Sequence, residues 1–229
     1  MTGRPRLASS TCKMLLIVGA FPPETSDLEN LAGGSVRVAS TGIGPVDSLL
    51  GLEQLTREHN PDELLFLGSV GAYGPSRLSN QFVYCRDFLF LEPAALRNQA
   101  KMVPAMRLIA RSAPGPLGES MVASEEFDRV WSNTTAGLSL VQQEFIPERL
   151  AEIVPSMKEH SAPGWEQWPV VESLELFALA RFCELHKIPF LSLLAVTNEV
   201  GPSGSEQWAQ NHEALGKELQ QKVRSILEK

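Results

Sequence analysis

Apolar and polar positions follow two rhythms along this chain. Met14–Ala20, Leu64–Leu67 and Phe190–Val196 are short, nearly unbroken apolar runs, the pattern of strands covered on both faces. Ser35–Ser40 alternates, and Gln81–Phe90 reads as a further strand. Helical spacing predicts a short helix from about Ser26 and a longer one over Pro45–His59, with the proline in its first turn. Ser205–Lys229 is amphipathic, with Trp208, Leu215, Leu219, Val223 and Leu227 as its apolar stripe. In the stretch Val170–Pro202, Leu174, Phe177, Ala178, Phe182 and Leu185 recur at three- and four-residue steps. That predicts a helix opening with Glu172 and Glu175 and ending at Ile188-Pro189, because proline disfavours the helical region for its predecessor. Met121–Phe127 reads as a strand followed by a turn, and a helix is expected around Ile146–Ile153. Arg97–Gly118 and most of 131–169 give no clear rhythm. Strands alternating with helices predict an α/β fold with a largely parallel sheet.

Composition narrows this picture. The chain has 229 residues and is 43% apolar, enough for one packed core. Residues 1–13 carry cations without periodicity and read as a loose arm before a single domain at 14–229. A net charge of −7 speaks against nucleic acid or an anionic membrane as partner. Cys12, Cys85 and Cys183 are far apart and unpatterned, which predicts reduced thiols in the cytoplasm. The four histidines lack metal spacing, so neither metal nor cofactor is expected. No apolar run reaches transmembrane length, and Met1–Lys13 lacks the apolar core of a signal peptide.

Candidate chemistry gathers where the strands end. The predicted strands run into G-A-F-P-P-E (19–24), T-G-I-G-P (41–45) and G-S-V-G-A (68–72), and the last apolar run ends in Thr197-Asn198-Glu199. Glycine there lets backbone N–H groups approach a ligand, and open α/β sheets bind ligands at the carboxyl ends of strands. T-G-I-G lacks the third glycine of a dinucleotide fingerprint and the Lys-Ser/Thr of a phosphate loop. Each turn alone reads equally as a tight connection. Glu175 is either a solvated helix carboxylate or a ligand group, and Asn198 either a turn cap or a ligand group. Glu172 is placed to complement a helix dipole or to enter the same pocket.

Taken in order, G-A-x-x-x-E, T-G-I-G, G-S-x-G, E-x-x-E and T-N resemble the purine nucleoside phosphorylase/nucleosidase superfamily. A-F-P-P-E, E-S-L-E and N-E-V-G-P followed by Trp208 are most similar to its futalosine hydrolase branch, which serves menaquinone biosynthesis. The resemblance runs from Met14 onward. It implies a three-layer α/β/α sandwich with a central mixed sheet, a homodimer or higher homo-oligomer, and a small-molecule nucleoside as partner. It also implies N-glycosidic hydrolysis through an oxocarbenium-like centre. Glu175 then binds the ribose hydroxyls, Leu174 lies beside it, and Asn198 faces the leaving purine. An asparagine donates to a 6-oxo group and accepts from N7–H, which favours hypoxanthine over adenine. Ser69 with the N–H groups of Gly71 and Ala72 holds the nucleophile, and Phe127 either stacks on the base or packs in the core. No arginine falls in Gly19–Glu24 and Leu67 precedes Gly68, which favours water over phosphate. The general base is Glu24 or Glu172. Trp131, Trp165 and Trp168 shape either a 5′-substituent pocket or a subunit interface. The alternatives are a methylthioadenosine/adenosylhomocysteine-type nucleosidase and a nucleoside-binding protein without turnover.

Overall fold

The computed structural model describes residues 14–74, 81–103, 105–124, 126–142, 145, 147–155 and 167–228. The expected arm at 1–13 and Trp165 lie outside them. The strands are β1 (Leu15–Gly19), β2 (Val36–Ser40), β3 (Glu63–Ala72), β4 (Phe82–Leu89), β5 (Ile109–Arg111), β6 (Asp128–Thr134), β7 (Val170–Ser173) and β8 (Phe190–Glu199). The helices are α1 (Gly44–His59), α2 (Pro93–Leu96), α3 (Pro116–Val122), α4 (Pro147–Ile153), α5 (Leu176–His186) and α6 (Gly204–Leu227). Two 3₁₀ segments, Pro22–Glu24 and Ser26–Leu31, follow β1.

Sheet order is β2-β1-β3-β7-β6-β4-β5, and β8 pairs with both β3 and β4. Strands β3, β7, β6, β4 and β8 therefore close on themselves as a ring, with β1 and β2 extending from one side and β5 from the other. The β1–β2, β1–β3, β3–β8, β4–β6 and β6–β7 pairs are parallel, while β3–β7, β4–β5 and β4–β8 are antiparallel. The sheet is mixed, not largely parallel, as the three-layer α/β/α expectation required. Alternate strand residues feed opposite faces. Leu16, Val18, Leu64, Phe66 and Leu194 pack with Leu52 of α1 and Leu176 and Leu179 of α5. Leu15, Ile17, Leu65, Leu67, Leu191 and Leu193 pack with Met121 of α3 and Leu219 and Val223 of α6.

Four sequence readings need correction. Val170–Ser173 is a strand, because Glu172 and Val171 pair with Gly71 and Ala72 while Val170 pairs with Trp131; ring closure overrides the helical spacing. Helix α5 starts at Leu176 and buries Leu176, Leu179, Ala180, Phe182 and Cys183, leaving Leu185 63% exposed. Met121–Phe127 is not a strand. Pro116 opens α3, whose Leu117 and Gly118 N–H groups donate to the buried Glu63 carboxylate, and β6 begins only at Asp128. G-S-V-G is not a turn, since β3 continues through it to Ala72. Finally, Trp131 is core, 1% exposed beneath α4, and Trp168 is half-buried under the Arg129 guanidinium at 3.9 Å.

Helix α1 is seated by Gly51, where an added Cβ would lie 1.9 Å from the Thr41 carbonyl oxygen. Helix propensity alone favours alanine there by about 1 kcal/mol. Gly51→Ala is nevertheless expected to destabilise by about 1–3 kcal/mol in denaturant unfolding. A more stable variant would contradict this seating.

Candidate active site

Strand β1 runs out at Gly19, and the chain turns through Phe21-Pro22-Pro23 so that Glu24 folds back onto the strand end. Its Oε2 accepts the Ala20 N–H at 2.6 Å and its Oε1 accepts the Ser69 N–H at 3.2 Å. One carboxylate thus ties the end of β1 to the adjacent parallel strand β3. Gly19 is required, because a Cβ there would stand 2.7 Å from the Glu24 Cβ. Burial pushes the Glu24 carboxyl from 4.5 up to about 8, and the negative charge of Glu175 pushes the same way. The backbone donors at Ala20, Ser69 and Phe21 pull it down but do not win.

Glu175 is 8% exposed and stands at the N-cap position of α5. Its Oε1 accepts the Gly44 N–H at 2.9 Å, where the T-G-I-G segment opens α1; the helix N-terminus suits a carboxylate. Gly44 has φ +83°, a conformation that only glycine adopts freely. Burial raises the Glu175 pKa, against backbone donors that lower it. Leu174, half-buried, occupies the turn between β7 and α5.

Asn198 arrives through a bulge. Strand β8 is in register with β3 up to Val70–Val196, then Gly71 pairs with Asn198, so Thr197 is the extra residue. The Thr197 hydroxyl donates to the Asn198 Oδ1 at 3.0 Å, and the Asn198 Nδ2 donates to the Glu199 carbonyl at 3.1 Å. One amide hydrogen and one oxygen lone pair stay available. A side chain on Gly71 would meet Nδ2 at 2.7 Å. Ala72, buried, pairs with Glu199 on β8.

Glu172 is not at a helix start. It lies in β7, 4% exposed, and its carboxylate accepts the Tyr73 hydroxyl at 2.6 Å, the Ser139 N–H at 3.0 Å and the Ser139 hydroxyl. Burial and this carboxylate hold the Tyr73 phenol well above its ordinary value. Phe127 belongs to the core cluster that includes Ala195 and Leu219, two residues that also line a cleft with Glu24 and Ser69. It is 5% exposed in the core with Met121 and Leu219, at the entry of β6, whereas the end of β6 beside Glu172 carries Asn133 and Thr134.

Two residues near the cluster were not singled out for chemistry in the sequence. The Trp208 Nε1 donates to the Ser69 Oγ at 3.0 Å, and the His212 ring stacks on the indole at 4.0 Å. Phe21, Glu24, Ser69 and His212 line a cleft between the β1 turn and α6. The available signal was the four-residue step from an indole to a second ring on one helix face. Among the described residues, no group of three or more His, Cys, Asp or Glu is placed to hold a metal, and no helix is long and apolar enough to cross a membrane.

The model of the phosphorylase superfamily matches residues 24–229. The chain belongs to the phosphorylase superfamily. No curated protein matches it significantly. Among solved structures it is similar to the futalosine hydrolase of Helicobacter pylori strain 26695, with a TM-score of 0.70 and 13% identity over 94% of this chain and 99% of that one. It is similar as well to the 5′-methylthioadenosine/S-adenosylhomocysteine nucleosidase of Neisseria meningitidis in complex with methylthio-immucillin-A, at 0.69 and 18% over 94% and 98%. The corresponding nucleosidase of Colwellia psychrerythraea 34H, in complex with adenine, gives 0.69 and 16% over 95% of each chain. At these identities the likeness establishes the phosphorylase-superfamily fold.

Because the Glu24 pKa is raised on folding, its protonated form favours the native state. This contribution is full below pH 4.5 and is lost as pH rises through about 8. Glu24→Gln is therefore expected to gain melting temperature relative to wild type across that window, in thermal scans at matched ionic strength. A difference that does not change with pH would mean that Glu24 is not desolvated.

Proposed function

We propose that this protein is an N-ribosyl hydrolase that cleaves the glycosidic bond of a 6-oxopurine nucleoside, with futalosine as substrate and hypoxanthine as the released base. The observation that carries the reading is the buried, electrostatically interacting Glu24–Glu175 pair, taken with Asn198, which the bulge places opposite Gly71 on the same strand as Ser69. In this mechanism Glu175 accepts hydrogen bonds from the ribose hydroxyls and places negative charge near the developing oxocarbenium ion. A water between Glu24 and Ser69 gives a proton to the Glu24 carboxylate as its oxygen bonds C1′. The C1′–N9 bond breaks and its electron pair leaves with the purine. The departing purine anion takes up a proton from solvent at N7, and Glu24 later returns its own proton to solvent; the Asn198 amide donates to O6 and accepts from that N7–H. A base with a pKa near 8 is matched to work close to neutrality. Glu172 is not the base in this reading, because Glu24 and not Glu172 lines the cleft with Ser69, and Tyr73 and Ser139 hold the Glu172 carboxylate elsewhere.

Hydrolysis is favoured over phosphorolysis because Leu67 precedes Gly68 and no arginine falls between Gly19 and Glu24. The reading includes self-association. Ile43, Val46, Leu49 and Leu50 expose an apolar face at the start of α1, the turn that holds Glu175. Leu174 completes the pocket wall in the same reading, while Ala72 is held in β3 between β7 and β8. Phe127 is left to the core.

The test is chromatography of the protein incubated with futalosine, inosine or methylthioadenosine, each with and without phosphate. Hypoxanthine from futalosine, independent of phosphate, is the expected result. Adenine from methylthioadenosine would replace this reading with that of the 6-aminopurine nucleosidase, and no released base would favour a binding protein. Asn198→Asp is expected to shift preference towards adenine nucleosides by at least about tenfold in kcat/KM. An unchanged ratio would refute the role of position 198.

A further inference from the structure

We propose that Trp208 is a positioning residue that fixes the direction of the Ser69 hydroxyl; this rests on the hydrolase reading above. A serine hydroxyl has one proton and two lone pairs, whereas an indole N–H only donates. With the Trp208 Nε1 3.0 Å from the Ser69 Oγ, one lone pair is filled, and the hydroxyl proton is committed to some other acceptor. The Ser69 backbone N–H already goes to the Glu24 Oε1. The hydroxyl is thereby turned into a donor towards the cleft that Glu24 and Ser69 share. A water there gives its proton to Glu24 and receives the Ser69 proton on its second lone pair, which aims the remaining pair at C1′. Without the indole, the Ser69 proton is free to turn onto Glu24 itself and compete with that water.

The indole is itself held in place. His212 stacks on it with the rings 12° from parallel. On either side of Trp208, α6 grips the end of β8: the Gln207 Oε1 accepts the Glu199 N–H at 2.8 Å, and the Asn211 Nδ2 donates to the Thr197 carbonyl at 2.9 Å. Two turns of one helix thus fix both the strand end that carries Asn198 and the hydroxyl of Ser69. The sequence separation of 139 residues hides this contact from any local reading.

The experiment is a double-mutant cycle in the full-length protein with Trp208→Phe, Ser69→Ala and the pair, reading kcat and KM for release of hypoxanthine. Phenylalanine keeps an aromatic ring against His212 and removes only the donor. Trp208→Phe is expected to lower kcat roughly tenfold with KM within about twofold. In the Ser69→Ala background the same change is expected to cost nothing further, because its target is gone. The indole ¹H–¹⁵N resonance of Trp208, assigned by its loss in Trp208→Phe, is expected to shift in folded Ser69→Ala. An active wild type with effects that multiply, or an indole resonance unmoved in Ser69→Ala, overturns the Trp208 assignment and leaves the hydrolase reading standing. A wild type that releases no base overturns the hydrolase reading, and the positioning role with it.

Discussion

A carboxylate drawn out of water between the end of β1 and the neighbouring β3 is the constraint on which the candidate site depends. Glu24 bonds the Ala20 and Ser69 amides, so the turn after β1 is pinned against the neighbouring β3, which runs on to Ala72, with no side chain at Gly19 to push the carboxylate away. The same position costs Glu24 its hydration and sets it beside Glu175. Desolvation outweighs the backbone donors, and the carboxyl is held near neutrality. A group so poised accepts a proton and later gives it up without a large free-energy step.

The second device is the closed ring of strands. Because β8 pairs with β3 on one side and, over Ser192–Ala195, with β4 on the other, its body lies in the wall of a ring and its last residues extend along β3. One extra residue, Thr197, then suffices to bring Asn198 opposite Gly71. Strand β7 reaches Gly71 from the other side with Glu172, whose bonds to Tyr73 and Ser139 hold the segment after β6 against the ring. Helix α6 secures the remaining side through Gln207, Trp208 and Asn211.

Legibility in the sequence followed the range of the forces involved. β1, β8, α1 and α6 were readable because each has its own apolar rhythm or cap, and burial on both faces leaves an unbroken run such as Phe190–Val196. The strand β7 was not, because four residues without a period of their own are decided by Gly71 and Trp131, far away in sequence. Met121–Phe127 misled because β-prone residues near the end of α3 outweighed Pro116 and the distant Glu63 cap. Glu24, Ser69, Glu175 and Asn198 were singled out by their order along the chain, not by any local signal of their own. Trp208 was legible as an apolar stripe residue and as part of the segment after N-E-V-G-P, but not as a donor, since an indole shows that use only when Ser69 is beside it.

The proposed chemistry depends on the protonation state of Glu24. Carbon-13 NMR of the protein labelled at glutamate Cδ, followed from acid to alkaline pH and assigned with Glu24→Gln, reports that state directly. The predicted result is a carboxyl resonance that titrates with a midpoint near 8 and is missing from the variant. If the Glu24 resonance titrates instead near the ordinary glutamate value of about 4.3, the carboxylate is solvated, and the proposed base, its partner water and the role of Ser69 all lose their physical ground.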